Sequence, residues 1–260
     1  MPESMRIQRA IARAGVASRR AADALVAAGR VRINGQVAVV GQTVDPEHDE
    51  ILVDGKPVAR PAQARWLVLN KPAGILTTRS DPAGRRTVFD IIDDSPGMTY
   101  VGRLDYMTEG VLLLTTDGEA AHKLTHPSGE LERTYLATVR GDGAAAARAA
   151  TKGVELEDGI VVPREFLARR VGRGLWEIQM IIAEGRTREV RRLCEALGLQ
   201  VERLVRTQFG PVKLGSLGPA KTRSLTAREA EIITALTKSG GKRKNTTRGP
   251  RRERTNRYSR

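Results

Sequence analysis

Apolar positions change period repeatedly along this chain, and each change marks an element. In Arg6-Ile7-Gln8-Arg9-Ala10-Ile11-Ala12-Arg13-Ala14, the residues Ile7, Ile11 and Ala14 share a helical face, and Gly15 ends the helix. Ser18 then stands at an N-cap position before the stripe Ala21, Ala22, Leu25 and Val26, with Gly29 as the stop. Val31-Arg32-Ile33 alternates as a strand does. Asn34-Gly35 is a hairpin turn signal, and Val37 and Val39 resume the alternation. Residues 4–60 therefore read as a small helix-helix-hairpin module, and Arg60-Pro61-Ala62-Gln63-Ala64 places a linker at 61–65.

From Trp66 onward the pattern mixes short apolar runs with helical stripes. Trp66-Leu67-Val68-Leu69-Asn70 is an apolar strand; Lys71-Pro72-Ala73-Gly74 breaks it, and Ile75-Leu76-Thr77-Thr78 resumes. Strands are expected again at Val111 to Thr115, Tyr135 to Val139, Ile160 to Val162 and Trp176 to Ile182. Helices are expected at Val88 to Ile92, Glu119 to Leu124 and Ala144 to Lys152. Another follows the Val190/Leu193/Cys194/Leu197 stripe, and a last one follows the Thr226/Glu229 capping box. Strands and helices without strict alternation give an α+β fold, with a mixed, largely antiparallel sheet flanked by helices over residues 66–238.

The charge sharpens this outline. The formal net charge of +14 favours a polyanionic partner, because each neutralised phosphate releases counterions. Between Met5 and Asn34 there are seven arginines and one acid, Asp23, whereas Gly35 to Arg60 holds two bases and five acids. Positive charge in the first module is thus confined to the two helices and the first strand. Residues 239–260 carry nine Lys/Arg against one Glu and read as a basic, disordered tail that touches nucleic acid. The single cysteine, Cys194, allows neither a disulfide within the chain nor a thiol-built zinc site. His48, His122 and His126 are scattered; His122 and His126 fit surface polar residues better than metal ligands. No run has the apolar length of a membrane span or a signal peptide, so the expectation is a cytoplasmic protein, monomeric by default.

Two stretches carry resemblances. Arg13-Ala14-Gly15-Val16-Ala17-Ser18-Arg19-Arg20 and Gly29-Arg30-Val31-Arg32-Ile33-Asn34-Gly35, in their helix-helix-hairpin order, resemble the S4-type RNA-binding domain. That similarity implies that Arg6, Arg19, Arg20, Arg30 and Arg32 meet RNA phosphates and that Ser18 caps the second helix beside them. The second stretch runs Gly102-Arg103-Leu104-Asp105, then Thr108-Glu109-Gly110, an apolar run, and Thr115-Thr116-Asp117-Gly118. It resembles the signature of the ribosomal RNA pseudouridine synthase family that includes synthase A of the small ribosomal subunit together with synthase B of the large one. Asp105 falls on that family's nucleophilic aspartate.

The reaction so implied breaks a carbon–nitrogen glycosidic bond and makes a carbon–carbon one. It needs an anion beside the sugar, a cation to keep that anion ionised, a shelf for the rotating uracil, and a base for the carbon 5 proton. No metal or organic cofactor is required, and the chain has neither GxxxxGK[ST] nor G-x-G-x-x-G between a strand and a helix. Alternation puts Tyr135, Ala137 and Val139 on one strand face, where a tyrosine stacks on a base or simply packs in a core. By resemblance Tyr135 is the active-site tyrosine. On a helical wheel Arg191 lies beside the Val190/Leu193/Leu197 stripe and reaches inward, while Arg188 and Arg192 point away toward phosphates. The family's late motif places its arginine at Arg191, expected to pair with Asp105 and orient it. Glu189-Val190 stands where relatives often carry Gln-Ile, which puts the polar contact at Glu189 in doubt. Arg103 shares a face with Asp105 or holds a phosphate. Lys71 shapes the sheet or binds RNA.

The whole reading is an isomerase that converts one uridine of ribosomal RNA, free or in a pre-ribosomal particle, with large-subunit RNA preferred. Its alternatives are a synthase acting on small-subunit or transfer RNA, and a non-catalytic RNA-binding or ribosome-assembly factor. The last would need the arginines but not Asp105.

Overall fold

A computed structural model of the chain describes residues 4–59, 64–93, 97–126 and 129–238. Most of the expected linker and the whole basic tail at 239–260 lie outside the described residues.

The first part comprises β1 (Met5–Arg6), α1 (Ile7–Arg13), α2 (Arg19–Ala27), β2 (Val31–Ile33), β3 (Gln36–Val37), β4 (Thr43–Val44), β5 (Ile51–Val53) and β6 (Lys56–Pro57). Its core is built from the predicted faces: Ile7, Ala10 and Ile11 of α1 and Ala22 and Val26 of α2 are buried with Val31, Ile33 and Val53. The Ser18 hydroxyl accepts from the Ala21 amide at 3.2 Å and caps α2. Asn34-Gly35, with φ of 50° and 81°, makes the tight turn from β2 to β3. Asp54-Gly55 repeats that geometry between β5 and β6, a turn the apolar pattern alone did not bring out. Arg9 of α1 reaches across to the larger part, 2.5 Å from Glu119.

The larger part holds β7 (Trp66–Lys71), β8 (Thr99–Val101), β9 (Thr108–Thr115), α3 (Gly118–Thr125), β10 (Arg133–Arg140), α4 (Gly143–Ala150), β11 (Val154–Leu156), β12 (Gly159–Val161), β13 (Glu165–Gly172) and β14 (Leu175–Ile182). It ends with α5 (Glu189–Ala196), β15 (Gln200–Phe209), β16 (Val212–Lys213), β17 (Thr222–Ser224) and α6 (Ala227–Lys238). Nine strands form one sheet in the order β13-β14-β10-β15-β9-β7-β17, with β16 beside β15 and β8 beside β9. Among the described strands, only the β15–β9 pairing is parallel, so the α+β, largely antiparallel expectation holds.

Strand β9 shows why its apolar run does not alternate. Leu112 and Leu114 pack into the core shared with α4 and α5, while Val111 and Leu113 pack into the core shared with α3 and α6. A strand covered on both faces has no polar side to show. Gly110, in the Thr-x-Gly part of the signature, lets β15 approach: a Cβ there would stand 2.2 Å from the Arg206 carbonyl oxygen.

Some expectations are corrected. Ile75 to Thr78 forms no strand, only an isolated bridge between Leu76 and Thr87. The helix expected at Val88 to Ile92 is a single 3-10 turn, Val88–Asp90, closed by a Thr87/Asp90 capping box. Strands β13 and β15 escaped the pattern because charged residues interrupt them. In central β15, Arg203 is tied to Glu109 at 2.8 and 2.9 Å, which makes a charged residue tolerable there.

Candidate active site

The signature turn between β8 and β9 is held from beneath by a buried ammonium. Lys71 is 0% exposed at the end of β7. Its Nζ donates to the carbonyl oxygens of Pro72 (2.9 Å), Asp105 (3.2 Å), Tyr106 (3.2 Å) and Thr108 (2.8 Å). Burial pushes this ammonium down to about 8, while the charges of Asp105 and Glu109 oppose the shift. The Thr77 hydroxyl donates to the Leu104 carbonyl at 2.9 Å, and the Thr108 amide donates to the Asp105 carbonyl at 3.0 Å. The main chain around Asp105 is therefore pinned on several sides. Lys71 is a structural clamp with no route to RNA, which corrects its candidacy as an RNA contact.

Asp105 opens into a cavity of about 290 Å³, near the lower end for ligand sites. One wall is Gly102 to Asp105 with Thr108 and Thr125. The opposite wall is the Glu184 to Arg191 segment leading into α5. The floor is Tyr135, Leu204, Arg206, Phe209 and Arg133 from β10 and β15. Six arginines and three acids line it, so the cavity is cationic.

A β-bulge assembles the floor. Thr134 pairs with Gln208 and Tyr135 with Arg206, leaving Thr207 as the extra residue on β15. The insertion puts Arg206 and Phe209 on the same side as Arg133 and Tyr135. Arg206 is 2% exposed; its Nε donates to the Val111 carbonyl at 2.8 Å, and its guanidinium lies 5.0 Å from the Phe209 ring centre. Arg206 Nη2 and Thr108 Oγ1 are buried without a hydrogen-bond partner among the described residues. Arg133 donates through Nη1 to the carbonyls of Ala183 (3.1 Å) and Glu184, fixing the far wall.

The structure thus brings Asp105, Tyr135 and Arg191 to one cavity, with Arg103 and Arg188 at its lining. The direct Asp105–Arg191 ion pair is not made among the described residues. Arg191 Nη2 instead donates at 3.1 Å to the carbonyl of Met107, two residues beyond the acid, so it holds the turn rather than the carboxylate. Arg192 is held in a two-pronged contact with Asp158 at 2.8 and 2.9 Å, a partly exposed ion pair. Arg30 is likewise bound to Asp54 at 2.6 and 2.7 Å. Arg6 donates to the Gly41 carbonyl and Arg32 to the Gly35 carbonyl, the latter at 2.8 Å. Arg6, Arg19, Arg20, Arg30 and Arg32 are all exposed. Arg188 stands at φ 50°, a left-handed conformation costly for a residue with a Cβ, immediately before α5.

Glu189 is buried and its Oε2 accepts from the Arg186 amide at 3.1 Å. Burial raises its carboxyl above the ordinary range, and Oε1 has no partner among the described residues. Cys194 is also buried, its thiol pushed up to about 12, and is no nucleophile. Arg133 and Arg206 do not stand out in the sequence. Arg133 alternates with Tyr135, a signal available in the strand pattern; Arg206 sits on β15, which the pattern itself hides.

The model of the RNA pseudouridylate synthase family matches residues 65–196, and the S4 domain model matches residues 5–51. The chain belongs to the RNA pseudouridine synthase family. It is an isomerase of uridine in RNA that carries an S4 domain. An RNA pseudouridine synthase of Mycobacterium tuberculosis is 42% identical over 234 residues, covering 88% of this chain and 92% of the relative. One from Aquifex aeolicus is 43% identical, covering 89% of this chain and 95% of the relative. The ribosomal large subunit pseudouridine synthase B of Pseudomonas aeruginosa is 43% identical over 90% of this chain and 63% of its own length. The crystal structure of a pseudouridylate synthase superposes with a TM-score of 0.59 at 28% identity, covering 89% of this chain and 99% of that one. Among the described residues, no helix is long and apolar enough to cross a membrane.

Proposed function

We propose that the chain converts a uridine of large-subunit ribosomal RNA to pseudouridine in the cytoplasm, as free RNA or in a pre-ribosomal particle, with Asp105 as the nucleophile. The observation that carries this reading is the pinned turn that delivers Asp105 into a cavity floored by Tyr135. The relatives named as synthase B of the large ribosomal subunit favour large-subunit RNA over small-subunit or transfer RNA.

The uridine enters extruded, because its glycosidic bond is inaccessible in a stacked helix. Asp105 acts beside the sugar; attack on carbon 1′ and an elimination route use the same groups. Tyr135 provides the ring on which uracil rests while it turns, and its hydroxyl stands ready to relay the carbon 5 proton. Arg191 holds the Asp105 turn through the Met107 carbonyl. The unpartnered donors of Arg206 and Thr108 suit the two uracil carbonyl oxygens, which would otherwise leave buried polar groups uncompensated. Arg19, Arg20 and the other exposed arginines of the S4 domain, with Arg103 and Arg188, supply phosphate contacts that fix the RNA in register. Domain limits of 4–60 and 66–238 fit this division of labour.

Release of tritium from carbon 5 of labelled uridine, measured on transcripts of large- and small-subunit RNA, tests the reading. Release from the large-subunit transcript that depends on Asp105 supports it; release only from the small-subunit transcript overturns the assignment of substrate.

A further inference from the structure

Three side-chain atoms are buried without a hydrogen-bond partner among the described residues and belong to residues that line the Asp105 cavity: Thr108 Oγ1, Arg206 Nη2 and Glu189 Oε1. They come from three sides. Thr108 stands at the start of β9, Arg206 belongs to β15 in the floor, and Glu189 opens α5 in the far wall. The hydroxyl and the guanidinium can donate. Glu189 Oε1 differs in kind: a carboxylate oxygen accepts, and nothing among the described residues donates to it.

The other oxygen of the same carboxyl is occupied. Oε2 accepts from the Arg186 amide at 3.1 Å, and the Glu189 amide donates back to the Arg186 carbonyl at 3.3 Å. This reciprocal pair closes the turn ahead of α5 and fixes where the carboxyl stands. One oxygen is therefore held by the backbone, and the second is left over at the cavity. Burial raises the carboxyl, while the hydrogen bond from the Arg186 amide opposes the rise. A buried acceptor without a donor is costly, and a ligand that donates to it removes that cost.

Uracil has one such group. Its edge runs carbonyl, N3–H, carbonyl: one donor between two acceptors. The order of the ring atoms adds a second constraint. A half-turn about the axis through N3 and C6 exchanges N1 with C5, which is the exchange that isomerisation requires. The same half-turn exchanges the two carbonyls and leaves N3–H where it was. Two donors from the protein therefore serve the ring before and after the turn, and an acceptor at N3 serves it throughout. The unpartnered set in this cavity is two donors and one acceptor. We propose that Glu189 Oε1 accepts the N3–H of the extruded uracil, selects uracil by that contact and holds it as the pivot of the turn. That role rests on reading the Asp105 cavity as the uridine site.

The test uses a stem-loop of large-subunit RNA with either uridine or 3-deazauridine at the modified position; the C3–H of 3-deazauridine cannot donate. Affinities are measured with the Asp105→Asn chain, which removes the chemistry. The uridine RNA is expected to bind about tenfold more tightly, as the loss of one hydrogen bond to a charged group implies. Adding Glu189→Met should shrink that preference below twofold. Equal affinity for the two RNAs with Asp105→Asn alone overturns the contact, whether or not a Glu189 variant folds. A preference that survives Glu189→Met overturns it too, including when both affinities fall together, which would make Glu189 a support of the α5 turn alone. For the pivot, turnover is set beside affinity on the uridine RNA. Glu189→Met in the otherwise wild-type chain should lower kcat/KM by the same factor as affinity, because a contact kept through the turn is lost equally from the bound and the turning states. A kcat/KM loss about ten times the affinity loss means a contact made only after the base has turned, and overturns the pivot. If the wild-type chain forms no pseudouridine in the uridine RNA, the uridine-site reading itself fails.

Discussion

The two cationic regions of this molecule use positive charge in opposite ways. In the S4 domain Arg6, Arg19, Arg20, Arg30 and Arg32 are exposed, and the partners seen are surface groups: Asp54 for Arg30, backbone carbonyls for Arg6 and Arg32. Around the cavity, Lys71 and Arg206 are 0% and 2% exposed and donate to main-chain carbonyls of the signature turn and β9. Exposed cations trade one solvated partner for another at little cost, so they suit phosphate binding. Buried cations have given up water, and their loss leaves carbonyls unpaired. The first set is therefore the one we propose to tune how tightly RNA is held, whereas the second holds the main chain beside Asp105.

Removing a buried cation is the largest expected effect. Lys71→Met strands four carbonyls, so it should cost about 3 kcal/mol of stability and lower Tm by about 10 °C. Thermal melting reads this directly, and a loss below about 0.5 kcal/mol, the range of surface substitutions, would erase the contrast. Next, Arg19→Gln/Arg20→Gln should leave Tm nearly untouched. It should reduce the slope of log affinity against log salt by about 2, one for each phosphate contact, in a binding titration. An unchanged slope would take these two arginines out of the RNA interface.

A third effect separates activity from stability. Lys71 releases its proton at about 8 in the folded chain, below the ordinary value of 10.5. Between these values the unfolded chain binds more protons, so the Lys71 contribution to stability rises with pH across that window. Activity should move the other way: a neutral amine has two N–H groups for four carbonyls, and the turn slackens. An alkaline limb in the pH–rate profile near pH 8, without a parallel loss of fold by circular dichroism, is the expected result. The smallest effect is at Glu189, whose carboxyl is raised by burial. The advantage of the protonated form is full below the ordinary carboxylate range and lost as pH rises through the raised value. Glu189→Gln should therefore gain about 1 kcal/mol near neutral pH and progressively less toward about pH 4, measured by denaturant unfolding.

Legibility in the sequence divides along the same line. In the S4 domain the two helices, the serine cap and the Asn-Gly hairpin are legible because their order is local and speaks through adjacent residues, whereas the short strands β1, β4, β5 and β6 are not. In the larger part the signature names Asp105, and alternation places Tyr135 on the right face. What stayed hidden depends on distant partners. Lys71, read as shaping the sheet or binding RNA, shows which carbonyls it holds only once the turn between β8 and β9 folds over it, and Arg206 reaches the cavity only because a bulge at Thr207 shifts the register. The expected Arg191–Asp105 pair rests on the helical wheel and the family resemblance; in the structure that guanidinium goes to the Met107 carbonyl instead. Glu189 proves to be a buried wall residue with one oxygen unpartnered among the described residues.

Asp105, held by the buried clamp, is the residue we propose to carry the chemistry on ribosomal RNA. Chemical mapping of pseudouridines in ribosomal RNA from cells lacking this chain, complemented with wild type or Asp105→Asn, tests it most directly. A large-subunit pseudouridine should disappear on deletion, return with wild type and stay absent with Asp105→Asn. Full restoration by the asparagine variant would contradict it.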